Sequence, residues 1–220
     1  MNSAACSLLR DPHKVSFHEF DGDPVRQYFF YQPATAPLGA PLVVSIHGIA
    51  RNAAAHIYRL VDEAHRLGYC VLAPLFEKAK YGQYQQLIDA RSGVRSDLAL
   101  IDMIDRVSRA SGADGERLLL LGYSGGAQFA HRFVMAYPRR VASAVLAAAG
   151  WYTMPDSAMA YPLGVDTSAM ATELRLDADA YLRVPMHVLV GDLDTARDGS
   201  LRRSDLIDSS QGRTRIANCR

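Results

Sequence analysis

The feature that most restricts the fold is a set of short runs that are apolar along their whole length. They are PLVVSIHG (41–48), YCVLAP (69–74), RLLLLG (117–122), VASAVLAAAG (141–150) and PMHVLVGD (185–192). A strand with one wet face alternates polar and apolar residues, whereas a strand covered on both faces does not. Between these runs lie segments with apolar residues at helical spacing. One is 53–67 (Ile57, Leu60, Val61, Ala64, Leu67), stopped by Gly68; others are 94–111 and the stretch from Gly125 to Pro138. Buried strands alternating with helices predict an α/β fold with a doubly wound, mostly parallel sheet. VSFHEF (15–20) and VRQYFFYQ (25–32), joined by the turn residues DGDP, predict an N-terminal antiparallel hairpin. No linker, repeat or low-complexity tract interrupts the chain, so its 220 residues read as a single domain, 1–220. The irregular, Met-, Tyr- and Pro-rich stretch 151–183 reads as an insertion over the carboxyl edge of the sheet.

Charge excludes several partners. The formal net charge is +1, with no basic stripe, so neither nucleic acid nor an anionic membrane is an expected partner. The arginines near the C-terminus (Arg197, Arg202, Arg203, Arg213, Arg215, Arg220) read as a solvated face. No run is long enough to span a membrane, and the apolar patch at the N-terminus is too short for a signal peptide, which makes the cytoplasm the expected location. Cys6, Cys70 and Cys219 are odd in number and widely spaced, which fits neither a disulfide framework nor a zinc site; Cys70 reads as a small buried hydrophobe. No phosphate-binding loop, dinucleotide fingerprint or metal-ligand cluster appears, so no cofactor and no metal are expected.

The chemistry concentrates in Gly122-Tyr123-Ser124-Gly125-Gly126. An apolar strand precedes it and a helix follows, the context that a G-x-S-x-G nucleophile elbow requires. The strained turn lifts the Ser124 hydroxyl out of the sheet, and the small neighbours on both sides make room for it. Ser124 then stands at a helix N-terminus, where backbone N–H groups point outward. The Gly125 N–H is the expected first donor to a developing oxyanion. The second is expected from the loop after 41–47, at Ile49 in HGIAR.

These residues resemble the α/β-hydrolase superfamily. With SIHGIARNA, AYPRRVASAVLAAAGW and VGDLD, the likeness is to small esterases related to polyhydroxybutyrate depolymerases and feruloyl esterases, and it covers most of 41–194. The resemblance implies the order nucleophile, acid, histidine, with Asp194 as the acid and Asp192 as the runner-up. No histidine follows Asp194. The family's last strand, histidine loop and closing helix have no counterpart there, so the sequence reads as a C-terminally truncated member, and the final IANCR reads as neither helix nor strand. An edge left open in this way leads us to expect possible self-association.

None of the seven histidines is an obvious replacement. His131 lies about 10 Å along its helix from Ser124 and reads as a helix-surface or packing residue. His187 reads as buried in mid-strand, and His56 and His65 as lying on the first helix away from the carboxyl edge. His47 is at the right edge but resembles the loop-shaping histidine of HG loops. Trp151, Tyr152 and Met154 follow a strand end and are candidate pocket walls, with ordinary core packing as the other reading; Tyr81 and Tyr84 are weaker candidates. Arg51 either meets a substrate carboxylate or ties loops together. The expected function is hydrolysis of a small-molecule carboxylic ester through an acyl-enzyme, impaired by the missing histidine. A non-catalytic binding protein on the same fold, and a second subunit supplying the histidine, are the alternatives.

Overall fold

The structure is a computed structural model that describes residues 14–170, 172–196, 201 and 204–219. Cys6, His13, Arg197, Arg202, Arg203 and Arg220 lie outside the described residues. The strands are β1 (Ser16–Phe20), β2 (Arg26–Tyr31), β3 (Pro41–Ile46), β4 (Cys70–Pro74), β5 (Asp114–Tyr123), β6 (Val141–Ala147) and β7 (Met186–Leu189). They form one seven-stranded sheet in the order β1-β2-β4-β3-β5-β6-β7. β1 pairs with β2, and β2 with β4, in antiparallel fashion; every other pairing is parallel. The hairpin at the start and the mostly parallel sheet are those expected from the sequence.

Helices cover both faces. α1 (Ala53–Tyr58) and α2 (Val61–Leu67) lie on one, where Ala53, Ile57, Val61 and Ala64 pack with Tyr31, Val71 and Ala73. α3 (Ser96–Ser111) and α4 (Gly125–Ala136) cover the other, packing Leu100, Met103, Phe129 and Phe133 with Leu42, Val44, Ile46 and Leu120. Alternate residues of one strand therefore feed two apolar layers, which is why β4 is buried at every position. Cys70 is one of these; burial pushes its thiol up to about 11, as befits an inert core residue.

Three local expectations are corrected. The stretch 53–67 is two helices, because Leu60 N–H bonds to Ile57 O at 2.9 Å and tightens the chain between them. His187 is exposed rather than buried: β7 is the outermost strand among the described residues, and Val188 and Leu189 are exposed with it. The final residues do form a turn of helix, α7 (Arg215–Asn218), after α6 (Asp205–Ser210). Thr214 nucleates α7 by accepting the Ala217 N–H at 3.2 Å.

Residues 151–183, which include α5 (Ala178–Tyr181), run along the flank of α4. Thr153 N–H bonds to His131 at 2.8 Å, Asp177 N–H to Met135 O at 2.8 Å, and Tyr161 Oη to Gln86 O. Among the described residues no helix is long and apolar enough to cross a membrane, and no cluster of His, Cys, Asp and Glu could hold a metal ion.

Candidate active site

β5 runs straight into the elbow. Ser124 holds φ 54° and ψ −116°, a conformation that L-residues rarely adopt, and it caps α4. Such strain costs about 1–3 kcal/mol and persists only where the surroundings impose it. Here they do: Ser124 N–H is pinned to Ala147 O at 2.8 Å. The flanking glycines let the backbones close up. A Cβ on Gly122 would stand 2.7 Å from Ala127 Cα, and one on Gly126 would stand 2.6 Å from His47 O.

β3 delivers the HG loop to the same place. A Cβ on Gly125 would lie 3.4 Å from Ile49 N, so the two expected oxyanion donors are neighbours. Among the described residues neither N–H has a backbone acceptor, which leaves both open to a ligand oxygen. The loop is held by His47, which is fully buried. Phe76 N–H donates to its Nε2 at 3.0 Å, so Nδ1 carries the proton and donates to Gly48 O at 2.8 Å. Burial pushes this imidazole down to about 4, and with both nitrogens engaged it is a structural brace rather than a base.

The other histidines sort as clearly. His131 is fully buried; its Nε2 accepts from Thr153 N–H at 2.8 Å and its Nδ1 donates to Ala127 O at 3.2 Å. Burial lowers it well below the usual range. His65 meets Tyr31 Oη at 2.8 Å on the α2 side, and His18 stacks on Tyr28 in the hairpin. His56 is the exception to the sequence reading. It lines the same cavity of about 270 Å³ as Ser124, Gly48, Ile49, Tyr123 and Arg59. The expectation that it lies away from the elbow is wrong, because α1 starts at Ala53, directly after the HG loop, and its first turn faces the end of β5.

Asp194 follows β7 and is partly buried. Its Oδ1 accepts from Arg215 of α7 at 3.0 Å, so the expected acid is paired with a guanidinium rather than an imidazole. Asp192 is exposed in the preceding turn. The C-terminal segment is strapped to the loop after β6. Gln211 exchanges two hydrogen bonds with the Tyr152 backbone, at 2.8 and 2.7 Å, and Asn218 Nδ2 donates to Gly150 O at 2.5 Å.

The expected pocket walls do not meet Ser124. Trp151 is buried beneath the Arg132 guanidinium, 4.2 Å from its ring centroid. Tyr152 and Met154 line a separate cavity of about 350 Å³ beside β7, with Val188, Ala217 and Cys219. Tyr81 and Tyr84 are core residues, Tyr84 stacking on Phe76 and donating to His47 O at 2.7 Å. Arg51 ties loops together: its guanidinium lies over Tyr84 and reaches the carbonyls of Phe76, Tyr81 and Gly82.

Comparison with known proteins agrees with this fold. Residues 26–204 match the family described as Esterase PHB depolymerase. Poly(aspartic acid) hydrolase-1 from Sphingomonas sp. KT-1 is 28% identical, over 93% of this chain and 81% of that one, with a TM-score of 0.79. The poly(3-hydroxybutyrate) depolymerase LpqC from Bordetella parapertussis is 25% identical, over 93% and 74%, with a TM-score of 0.77. The Staphylococcus aureus fluorophosphonate-binding serine hydrolase FphF shares the fold at 12% identity over 84% and 81% of the two chains, with a TM-score of 0.61. No curated protein matches the sequence.

Proposed function

The chain belongs to the Esterase PHB depolymerase family of α/β-hydrolases, and from that premise we propose that it cleaves carboxylic esters through an acyl-enzyme on Ser124. The observation that carries this reading is the elbow itself. A serine held at φ 54° stands beside two unengaged N–H groups, on Gly125 and Ile49. A hydroxyl aimed at an ester carbonyl needs such donors where the negative charge develops, and each is worth about 2.7–4 kcal/mol in the transition state. The substrate class follows the relatives: one hydrolyses poly(aspartic acid) and another is a poly(3-hydroxybutyrate) depolymerase. We take this chain's substrate to be a small ester or an ester-linked oligomer.

Turnover is expected to be slow. Asp194, the acid that the resemblance implies, is paired with the Arg215 guanidinium at 3.0 Å rather than with an imidazole. Serine without an efficient base is a poor nucleophile near neutral pH. The Asp194–Arg215 pair is also what favours a second reading, a non-catalytic binding protein on a hydrolase fold.

A fluorophosphonate probe separates the two, because it reacts with activated serines irrespective of ester specificity. The expected outcome is covalent labelling at Ser124, lost in Ser124→Ala, together with hydrolysis of p-nitrophenyl acetate above the level of that variant. Absence of labelling, with equal rates for both proteins, selects the binding protein.

A further inference from the structure

The cavity at the elbow contains an imidazole with one nitrogen anchored and the other open. His56 Nδ1 lies 3.4 Å from the hydroxyl of Ser45, a buried residue of β3, and its ring packs against Tyr123, with centroids 6.3 Å apart. That anchoring turns Nδ1 toward the sheet and leaves Nε2 for the cavity; among the described residues nothing engages it. Ser124 forms another part of the same wall. The cavity's volume is about 270 Å³, whereas a water takes up about 30 Å³. It therefore has room for an acyl group together with a water between ring and serine.

We propose that His56 is the general base of this chain, acting through one water in the cavity both on Ser124 Oγ and on the water that releases the acyl group. The proposal rests on Ser124 being the nucleophile. In the first step Ser124 Oγ bonds to the ester carbonyl carbon. Its proton passes through the water to His56 Nε2; the leaving oxygen departs with the electron pair of the broken C–O bond and takes that proton back from Nε2 through the same water, so the imidazole is neutral again before the second step. In the second step the water bonds to the acyl carbon and gives a proton to Nε2. The C–Oγ bond then breaks, and Ser124 Oγ takes the proton back from His56. A base acting through one water remains within the reach that proton transfer allows.

The surroundings define what this base can do. Facing its ring are Ser45 from β3, His47 just after β3, Tyr123 from β5, and Arg59 immediately after α1. Burial first, and then the Arg59 charge, hold the imidazole below its ordinary value, so it is neutral and able to accept a proton near pH 7. Among the described residues no carboxylate lines the cavity. The imidazolium formed in each step is therefore less stabilised than one backed by an acid, consistent with a slow enzyme that prefers esters with good leaving groups.

The test is p-nitrophenyl acetate hydrolysis by the 220-residue chain across a range of pH, with fluorophosphonate labelling of Ser124 in parallel. His56→Gln is expected to lower kcat/KM by about a hundredfold, the usual worth of a general base, with its melting temperature held. Imidazole added to His56→Ala should restore part of the rate. The wild-type acid limb should lie below 6.5, the ordinary histidine value, and vanish in His56→Gln. A His56→Gln rate within about twofold of wild type, or an acid limb that persists in it, overturns the proposal. So does a wild-type rate equal to that of Ser124→Ala while Ser124 still labels; the nucleophile reading then survives and the base reading does not. If His56→Gln does not fold, imidazole rescue of His56→Ala and the wild-type pH profile decide.

Discussion

At the scale of single residues, the elbow is a packing constraint before it is chemistry. Ser124 keeps its strained φ because Gly122 and Gly126 let β5, α4 and the end of β3 approach more closely than any side chain allows. Gly126→Ala would place a carbon 2.6 Å from His47 O and closer still to Ile46 O. We expect it to cost about 1–3 kcal/mol of stability, as overpacking does, and to slow fluorophosphonate labelling of Ser124 by about a hundredfold, the effect of a 1 Å misplacement. Urea unfolding and labelling kinetics on the same preparation check both; labelling at the wild-type rate would show that the serine does not depend on this contact. The elbow could be read from the sequence because the contact dictates the residue types. The histidines could not all be read that way. His47 and His131 are identified by their neighbours, but the place of His56 depends on how α1 sets off from the HG loop, which spacing does not encode. Aromatic residues in loops were as opaque: Trp151 and Tyr84 look the same in sequence whether they line a pocket or fill a core.

At the scale of elements, one buried cluster joins three of them. Asp97 of α3 is fully buried and accepts from Arg95 at 2.8 and 2.6 Å and from Tyr137, just after α4, at 2.8 Å. Arg95 in turn reaches Thr172 in the 151–183 segment at 3.2 Å. Removing one partner from such a pair strands the other charge. Asp97→Ala is expected to destabilise by about 3–5 kcal/mol and to expose 151–183 to protease, whereas Thr172→Ala removes two part-buried hydrogen bonds, from Arg95 at 3.2 Å and from the Leu174 N–H at 3.3 Å, and should cost less, about 1–2 kcal/mol. Equal protease resistance in wild type and Asp97→Ala would show that the segment is held by its contacts with α4 alone. The buried strands and the long helices were legible in sequence, since their apolar period is set by two covered faces. The break between α1 and α2 and the single turn of α7 were not. Each depends on one local hydrogen bond, at Leu60 and at Thr214, that no apolar pattern reports. The exposure of His187 escaped for a different reason: an apolar run looks the same in a central strand and in the outermost one.

At the scale of the whole molecule, the buried histidines make stability depend on pH with a definite sign. His47 and His131 each accept a backbone N–H, from Phe76 and Thr153, and so join the HG loop and the loop after β6 to the frame of the elbow. Both must be neutral to do this. Burial lowers both, His47 to about 4, whereas in the unfolded chain a histidine takes up its proton near 6.5. Between those values the unfolded state binds more protons than the folded one, so stability rises with pH. The contribution is fully present above 6.5 and is lost as pH falls toward 4. For His47 alone it amounts to about 3 kcal/mol over the full window. The urea midpoint is therefore expected to fall on going from pH 7 to pH 5 at unchanged m-value, and the elbow loops to become protease-sensitive at the acid end first. His47→Gln should be less stable than wild type at pH 7 and lose less on acidification, because glutamine has no proton to take up. Were wild type and His47→Gln to lose stability in parallel between pH 7 and pH 5, the acid sensitivity would lie elsewhere, and His47 would be bracing the loop without linking it to protons.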